Sequence, residues 1–146
     1  STLEDLAEGT FQTVIGEMEE LGKKVARVIV CSGKIYFELL AARREHKIAD
    51  TAILRLEQLY PFPEEVFAAQ MAKFSTAKEV VWCQEEPQNQ GAWYSTRHHL
   101  VEHLKKGQTL RFVGRPASAS PAVGYYSKHV AQQKAIIESA FGLSDD

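Results

Sequence analysis

Four times along this chain a short run of mostly branched apolar residues is followed by a longer amphipathic stretch, and this alternation limits the available folds more than any other feature. The runs are VARVIVC at Val25 to Cys31, TAILRL at Thr51 to Leu56, EVVWC at Glu79 to Cys83 and TLRFV at Thr109 to Val113. Runs with apolar side chains at consecutive positions read as strands covered on both faces, as in a parallel sheet. The alternation then implies right-handed crossovers and helices on both sides of one sheet. TFQTVI, Thr10 to Ile15, is a weaker strand candidate, and the short polar link EMEELGKK behind it allows an antiparallel pairing at the sheet edge.

The stretches between the runs have helical spacing. In KIYFELLAARREHK, Ile35, Leu39 and Ala42 share one face, while Arg43, Arg44, Glu45 and Lys47 fall on the other, and Ser32 is the expected N-cap. After the Tyr60-Pro61-Phe62-Pro63 turn, Glu64 and Glu65 suit the positive end of a helix that should turn Val66, Phe67 and Met71 inward. A third helix is predicted from about Gly91 to Lys106, with Trp93, Leu100 and Leu104 in phase and Gly107 as its stop. The last carries Val130, Ile137 and Phe141 and ends at Gly142.

A chain of 146 residues is long enough to bury one core of its own and short for two. The expected organisation is a lead-in segment with the edge strand over residues 1–24 and an α/β domain over 25–146. An opening Ser in place of Met suggests a piece of a longer chain. A formal net charge of -2 argues against binding along a phosphate backbone, so no nucleic-acid partner is expected. No apolar run is long enough to cross a bilayer and no signal segment precedes the first element, so no membrane role is expected either. The two cysteines, Cys31 and Cys83, lack metal or redox spacing and read as reduced thiols of a cytosolic-type compartment.

Function should gather where the strands end, because loops at the carboxyl edge of a parallel sheet vary without disturbing the core. There the chain places Ser32-Gly33-Lys34, Glu57 to Tyr60, Gln84 to Gln90 and Arg115 to Gly124. In VWCQEEPQNQGAWYS one of Glu85 and Glu86 suffices to favour the start of the next helix. That leaves the amides and Gly91-Ala92 beside Trp93 without a task. Glu85, Glu86, Gln88, Asn89, Gln90, Gly91 and Trp93 are therefore candidate interface residues, with Ser118 and Ser120 of the loop RPASASPAVG. Packing of Gly91-Ala92 on the chain's own sheet is the other reading of the same pattern.

CSGKIYFELL, ILRLEQLYPFP, VWCQEEPQNQGAWYS and GRPASASPAVGYYSKH, in this order and spacing, resemble the C-terminal domain of the decarboxylating, thiamine diphosphate-dependent component of 2-oxoglutarate dehydrogenase. The resemblance covers essentially the whole chain and implies a transketolase C-terminal-like fold of three α/β/α layers, with a mixed five-stranded sheet and one antiparallel edge strand. It further implies that the strands ending at Cys31 and Cys83 are neighbours. The parent activity it implies is decarboxylation of 2-oxoglutarate in the citric acid cycle, in the bacterial cytoplasm or the mitochondrial matrix. Thiamine diphosphate and magnesium would be held by preceding domains, because the Gly-Asp-Gly signature with a following Asn is missing here. Implied partners are those preceding domains, a homodimer partner and the acyltransferase core of the complex. Implied effectors are acetyl-CoA or AMP, for which Arg43, Arg44, Lys47 and Arg115 are the available cations. A 2-oxoadipate-type dehydrogenase would share the pattern, and a free-standing interaction or nucleotide-binding module is a further alternative.

One motif points to different chemistry. His99-Leu100-Val101-Glu102-His103 spells H-x-x-E-H, with two histidines one helical turn apart as in certain zinc hydrolases. Only distant Glu138 offers itself as a third protein ligand, so the reading assigns no metal ligand. It assigns no catalytic residue either. His98 and His129 read as polar surface or interface positions, and Ser118 and Ser120 as turn formers before Pro121.

Overall fold

A computed structural model describes residues 12–19, 21, 24–116 and 125–143. Thr10, Phe11, Ser118, Ser120 and most of the loop from Arg115 to Gly124 lie outside the described residues. In chain order the elements are β1 (Val14–Ile15), β2 (Arg27–Cys31), α1 (Ile35–Glu45), β3 (Thr51–Leu56), α2 (Glu64–Ala72), β4 (Glu79–Pro87), α3 (Trp93–Glu102), β5 (Thr109–Arg115) and α4 (Tyr125–Ala140). They build one mixed five-stranded sheet of order β1-β3-β2-β4-β5. β1 runs antiparallel to β3, with Val14 opposite Leu56, and the other pairings are parallel. The edge strand is shorter than its six-residue sequence pattern suggests.

The layering follows from the two-residue period of the strands. Val28, Val30, Ala52, Leu54, Val80 and Trp82 point to one face, where α2 and α3 cover them with Phe67, Met71, Trp93 and Leu100. Ile29, Cys31, Ile53, Val81 and Cys83 point to the other, against Ile35 and Leu39 of α1 and Ile136 and Ala140 of α4. Each such aliphatic or aromatic side chain, fully withdrawn from water, contributes about 1.5–3 kcal/mol. Cys31 stands directly opposite Cys83 in the β2–β4 register, and both thiols are free and buried.

Several local expectations are corrected. Val66, expected inward, is exposed, and so is Val130 of the α4 pattern; α4 instead buries Ile136 and Ala140, while Phe141, just past its end, is buried as its spacing implied. Lys34, not Ser32, is the N-cap of α1, and no side chain caps it. α3 is shorter than its apolar spacing implied: it begins at Trp93 and is capped at His103, leaving Leu104 to Gly107 outside. The largest difference concerns Arg43. It lies four residues beyond Leu39, on the buried face of α1, and only 2% of it is exposed.

The carboxylates of the segment after β1 explain why that burial is tolerated. Glu17 accepts two hydrogen bonds from the Arg43 guanidinium at 2.6 Å, and Glu19 a third at 2.7 Å. Arg43 also donates to the carbonyl of Thr51 at the start of β3, while Glu17 accepts from the Ile53 backbone N–H. A planar guanidinium meeting a carboxylate through two parallel bonds is the strongest pairing available to it. Here it fastens the edge segment to α1 and β3.

Candidate functional site

The crest at the carboxyl ends of the strands is built around a residue absent from the list of candidates, Gln84. It follows Val80 and Trp82 at the same two-residue spacing, so its amide points into the core face and is almost fully buried. Its Oε1 accepts from the indole Nε1 of Trp82 at 2.8 Å. Its Nε2 is shared among the carbonyls of Glu86, Pro87 and Gln90 at 3.1, 2.8 and 2.8 Å. One side chain thereby satisfies the backbone acceptors of a tight loop that would otherwise be partly buried without partners. β4 continues through Gln84-Glu85-Glu86-Pro87, resuming its pairing with β5 at Arg115 after a register shift. The sequence signal was present in the spacing, but polarity disguised it as loop.

The loop closes at Gly91, whose φ of +70° belongs to the left-handed region that L side chains rarely enter. A Cβ there would also stand 3.1 Å from the side-chain oxygens of Gln84 and Glu86. Gly91 is therefore explained inside the chain. Trp93 likewise turns inward, 6% exposed, with its ring 5.2 Å from that of Phe112. An interface anchor was expected there, and the helical phase that makes it core overrides that expectation. What stays at the surface is Glu86, Gln88, Asn89 and Gln90, with Glu85 half-buried.

Arg115 stands at this crest too. It donates to the Glu85 carbonyl at 3.0 Å, to Gln132 at 3.2 Å and to Gln133 at 2.5 Å. Gln133 passes its amide hydrogens to Glu85 and Glu38, so β4, β5, α1 and α4 meet in one polar network. The four candidate cations do not form one anion site. Arg43 is locked on Glu17 and Glu19 beside the start of β3, Arg44 reaches Glu19 at 3.1 Å, and Lys47 lies one turn further, while Arg115 belongs to the opposite edge. Arg44 and Lys47 do flank a hollow of about 220 Å³.

Between the loop and the turn after β2 lies a crevice of about 400 Å³ bordered by Ser32, Trp82, Gln84, Glu86 and Ser95. Its lining includes a carboxylate and no lysine or arginine. Such a lining offers no cation to a bare diphosphate.

The H-x-x-E-H residues occupy a separate place, between α2 and α3. Glu64, in the first turn of α2, bonds His99 through one carboxylate oxygen and His103 through the other. Burial pushes the Glu64 carboxyl up, but the bonds from His103 and His99 outweigh it and hold it below its ordinary value of 4.5. Phe62 stacks on the His99 ring at 4.4 Å and 2°, and Phe67 meets the His103 ring edge-on. Glu138, the expected third ligand of a zinc hydrolase, sits on α4, across the sheet from α3.

Known proteins match nearly the whole sequence. The model of the family described as 2-oxoglutarate dehydrogenase C-terminal matches residues 1–141. A Cupriavidus necator protein named 2-oxoglutarate dehydrogenase E1 component is 58% identical over 142 residues, which is 97% of this chain and 15% of that protein. Proteins of the same name from Haemophilus influenzae and Coxiella burnetii are 52% and 50% identical, each over 98% of this chain and over 15% and 16% of their own lengths. The chain thus spans about one sixth of the curated relatives it matches.

Proposed function

Because this chain belongs to the 2-oxoglutarate dehydrogenase C-terminal family, we propose that it serves as the assembly domain of an E1 component that decarboxylates 2-oxoglutarate on thiamine diphosphate and magnesium bound in preceding domains. The observation that carries this reading is the loop at Glu85 to Gly91. Gln84 holds its backbone in one shape, and yet Gln88, Asn89 and Gln90 face solvent with no internal task. A rigid exposed row of amides loses little conformational entropy on docking and supplies directional hydrogen bonds. We take its partners to be the preceding domains, to which residues 1–24 would lead, and the homodimer mate.

The chemistry itself would lie outside this segment, and the acyltransferase core of the complex is a further partner of the assembled enzyme. No helix among the described residues is long and apolar enough to cross a membrane, and the bacterial source of the relatives supports a cytoplasmic setting. The test uses the full-length E1 component carrying Gln88→Lys and Asn89→Lys. We expect the dimer dissociation constant in sedimentation velocity to rise at least ten-fold, roughly 1.4 kcal/mol, with turnover falling alongside the dimer fraction. Unchanged sedimentation and turnover would remove the assembly role.

Regulation by an adenine-containing ligand such as acetyl-CoA or AMP is a second reading. It is favoured by the hollow beside Arg44 and Lys47, two candidate cations that are exposed.

A further inference from the structure

The cluster between α2 and α3 goes beyond an assembly role. We propose that Glu64, His99 and Glu102 form a binding site for a first-row divalent cation of the Zn2+ class, joining the two helices that cover one face of the sheet. The ligand atoms of these three residues lie within 4.8 Å of one another, one from α2 and two from α3. His99 and Glu102 are three residues apart, so they share a face of α3, and Glu64 approaches that face from the neighbouring helix. An imidazole with two carboxylates suits a borderline divalent ion, whose bonds of about 2.0–2.2 Å would take the place of the direct His99–Glu64 hydrogen bond as Glu102 closes in.

Two features of the surroundings favour a cation. The His99 ring is held in plane by Phe62, and its side chain remains 25% exposed, so the donor is fixed before an ion arrives but still reachable from solvent. His103 stands outside the ligand set and holds the second Glu64 oxygen, which orients that carboxylate as outer-shell partners orient metal ligands. Glu102 is exposed and free to swing inward.

The same geometry separates this site from a zinc hydrolase. In the H-x-x-E-H arrangement both histidines bind the ion and the intervening glutamate is a base; here Glu102 is itself a donor and His103 is directed at Glu64. The site therefore binds and braces. Water completes the coordination.

The experiment titrates Zn2+ alone into the chelator-stripped purified protein by calorimetry, then repeats it with Co2+ followed by visible absorption. One equivalent should bind, Co2+ should develop ligand-field bands, and Zn2+ should raise the melting temperature. Glu102→Gln, at an exposed position with no part in the core, should weaken binding at least ten-fold while leaving the apo circular dichroism unchanged. His99→Ala should do likewise, and His98→Ala, altering the adjacent exposed imidazole, should not. Absence of one-equivalent binding would overturn the proposal, as would Glu102→Gln and His99→Ala binding Zn2+ like the unaltered protein.

Discussion

Arg43 shows how far a single side chain's position can depart from its chemical type. By composition it belongs with Arg44 and Lys47 as a surface cation; by spacing it follows Ile35 and Leu39 at four-residue steps and must enter the core. Only the acids of the preceding polar link, far away in sequence, make that entry tolerable, which is why the helix pattern alone misassigned it. Removing one partner of such a buried pair leaves the other charge uncompensated, at a cost of about 3–5 kcal/mol. Arg43→Ala should lower the urea midpoint of unfolding accordingly. Arg43→Met combined with Glu17→Gln should recover part of the loss, because neither charge is then stranded. Equal midpoints for Arg43→Ala and the unaltered protein would contradict the assignment. Gln84 was legible for the same reason and missed for the opposite one: its inward phase was plain, and its polarity argued against reading it.

At the scale of elements, alternation of runs and amphipathic stretches located every parallel strand and all four described helices. Their ends were harder to read. Helix termini depend on which neighbour satisfies the last carbonyls, and sequence spacing carries little of that information. The end of α4 is an example. Arg27 of β2 donates to the Phe141 carbonyl at 2.5 Å and Arg111 of β5 to the Ser139 carbonyl at 2.9 Å. Both arginines are held by Glu79 of β4, through bonds of 2.6 Å and 3.2 Å. Burial pushes the Glu79 carboxyl up, but its hydrogen bonds from Arg111 and Arg27 prevail and hold it below 4.5. A carboxyl depressed by folding contributes stability that is complete above its unfolded value of about 4.3 and lost as pH falls through the folded value. Urea midpoints measured from pH 7 to pH 3 should therefore drop less steeply in Glu79→Gln than in the unaltered protein, starting from a lower value at pH 7. Parallel profiles would show that this carboxylate does not couple the strands to α4.

For the molecule as a whole, the layering was readable because it depends on many residues at once, and the site was readable only in outline. The crest does gather the loop at Glu85 to Gly91 and Arg115, as a parallel sheet requires, but the work inside it falls to residues whose partners are remote in sequence. The paired cysteines test the integrity of the entire sheet. Burial raises the Cys83 thiol to about 12. It raises Cys31 as well, with the neighbouring Cys83 adding to the effect. A thiol kept protonated is a poor nucleophile. At pH 8 a disulfide reagent should modify neither residue in the native protein on the time scale that suffices in denaturant, at least 100-fold slower, with both reacting in one phase. Rapid labelling of either in the folded state would mean the sheet opens locally between β2 and β4.

Gln84 acts as a gauge of length. Its two amide hydrogens reach acceptors two, three and six residues ahead, so the span from Glu85 to Gln90 tolerates neither an added nor a deleted residue while that amide remains. Variation at this crest is confined to swapping side chains on a fixed frame: recognition can be retuned here by chemistry, but not by lengthening the loop.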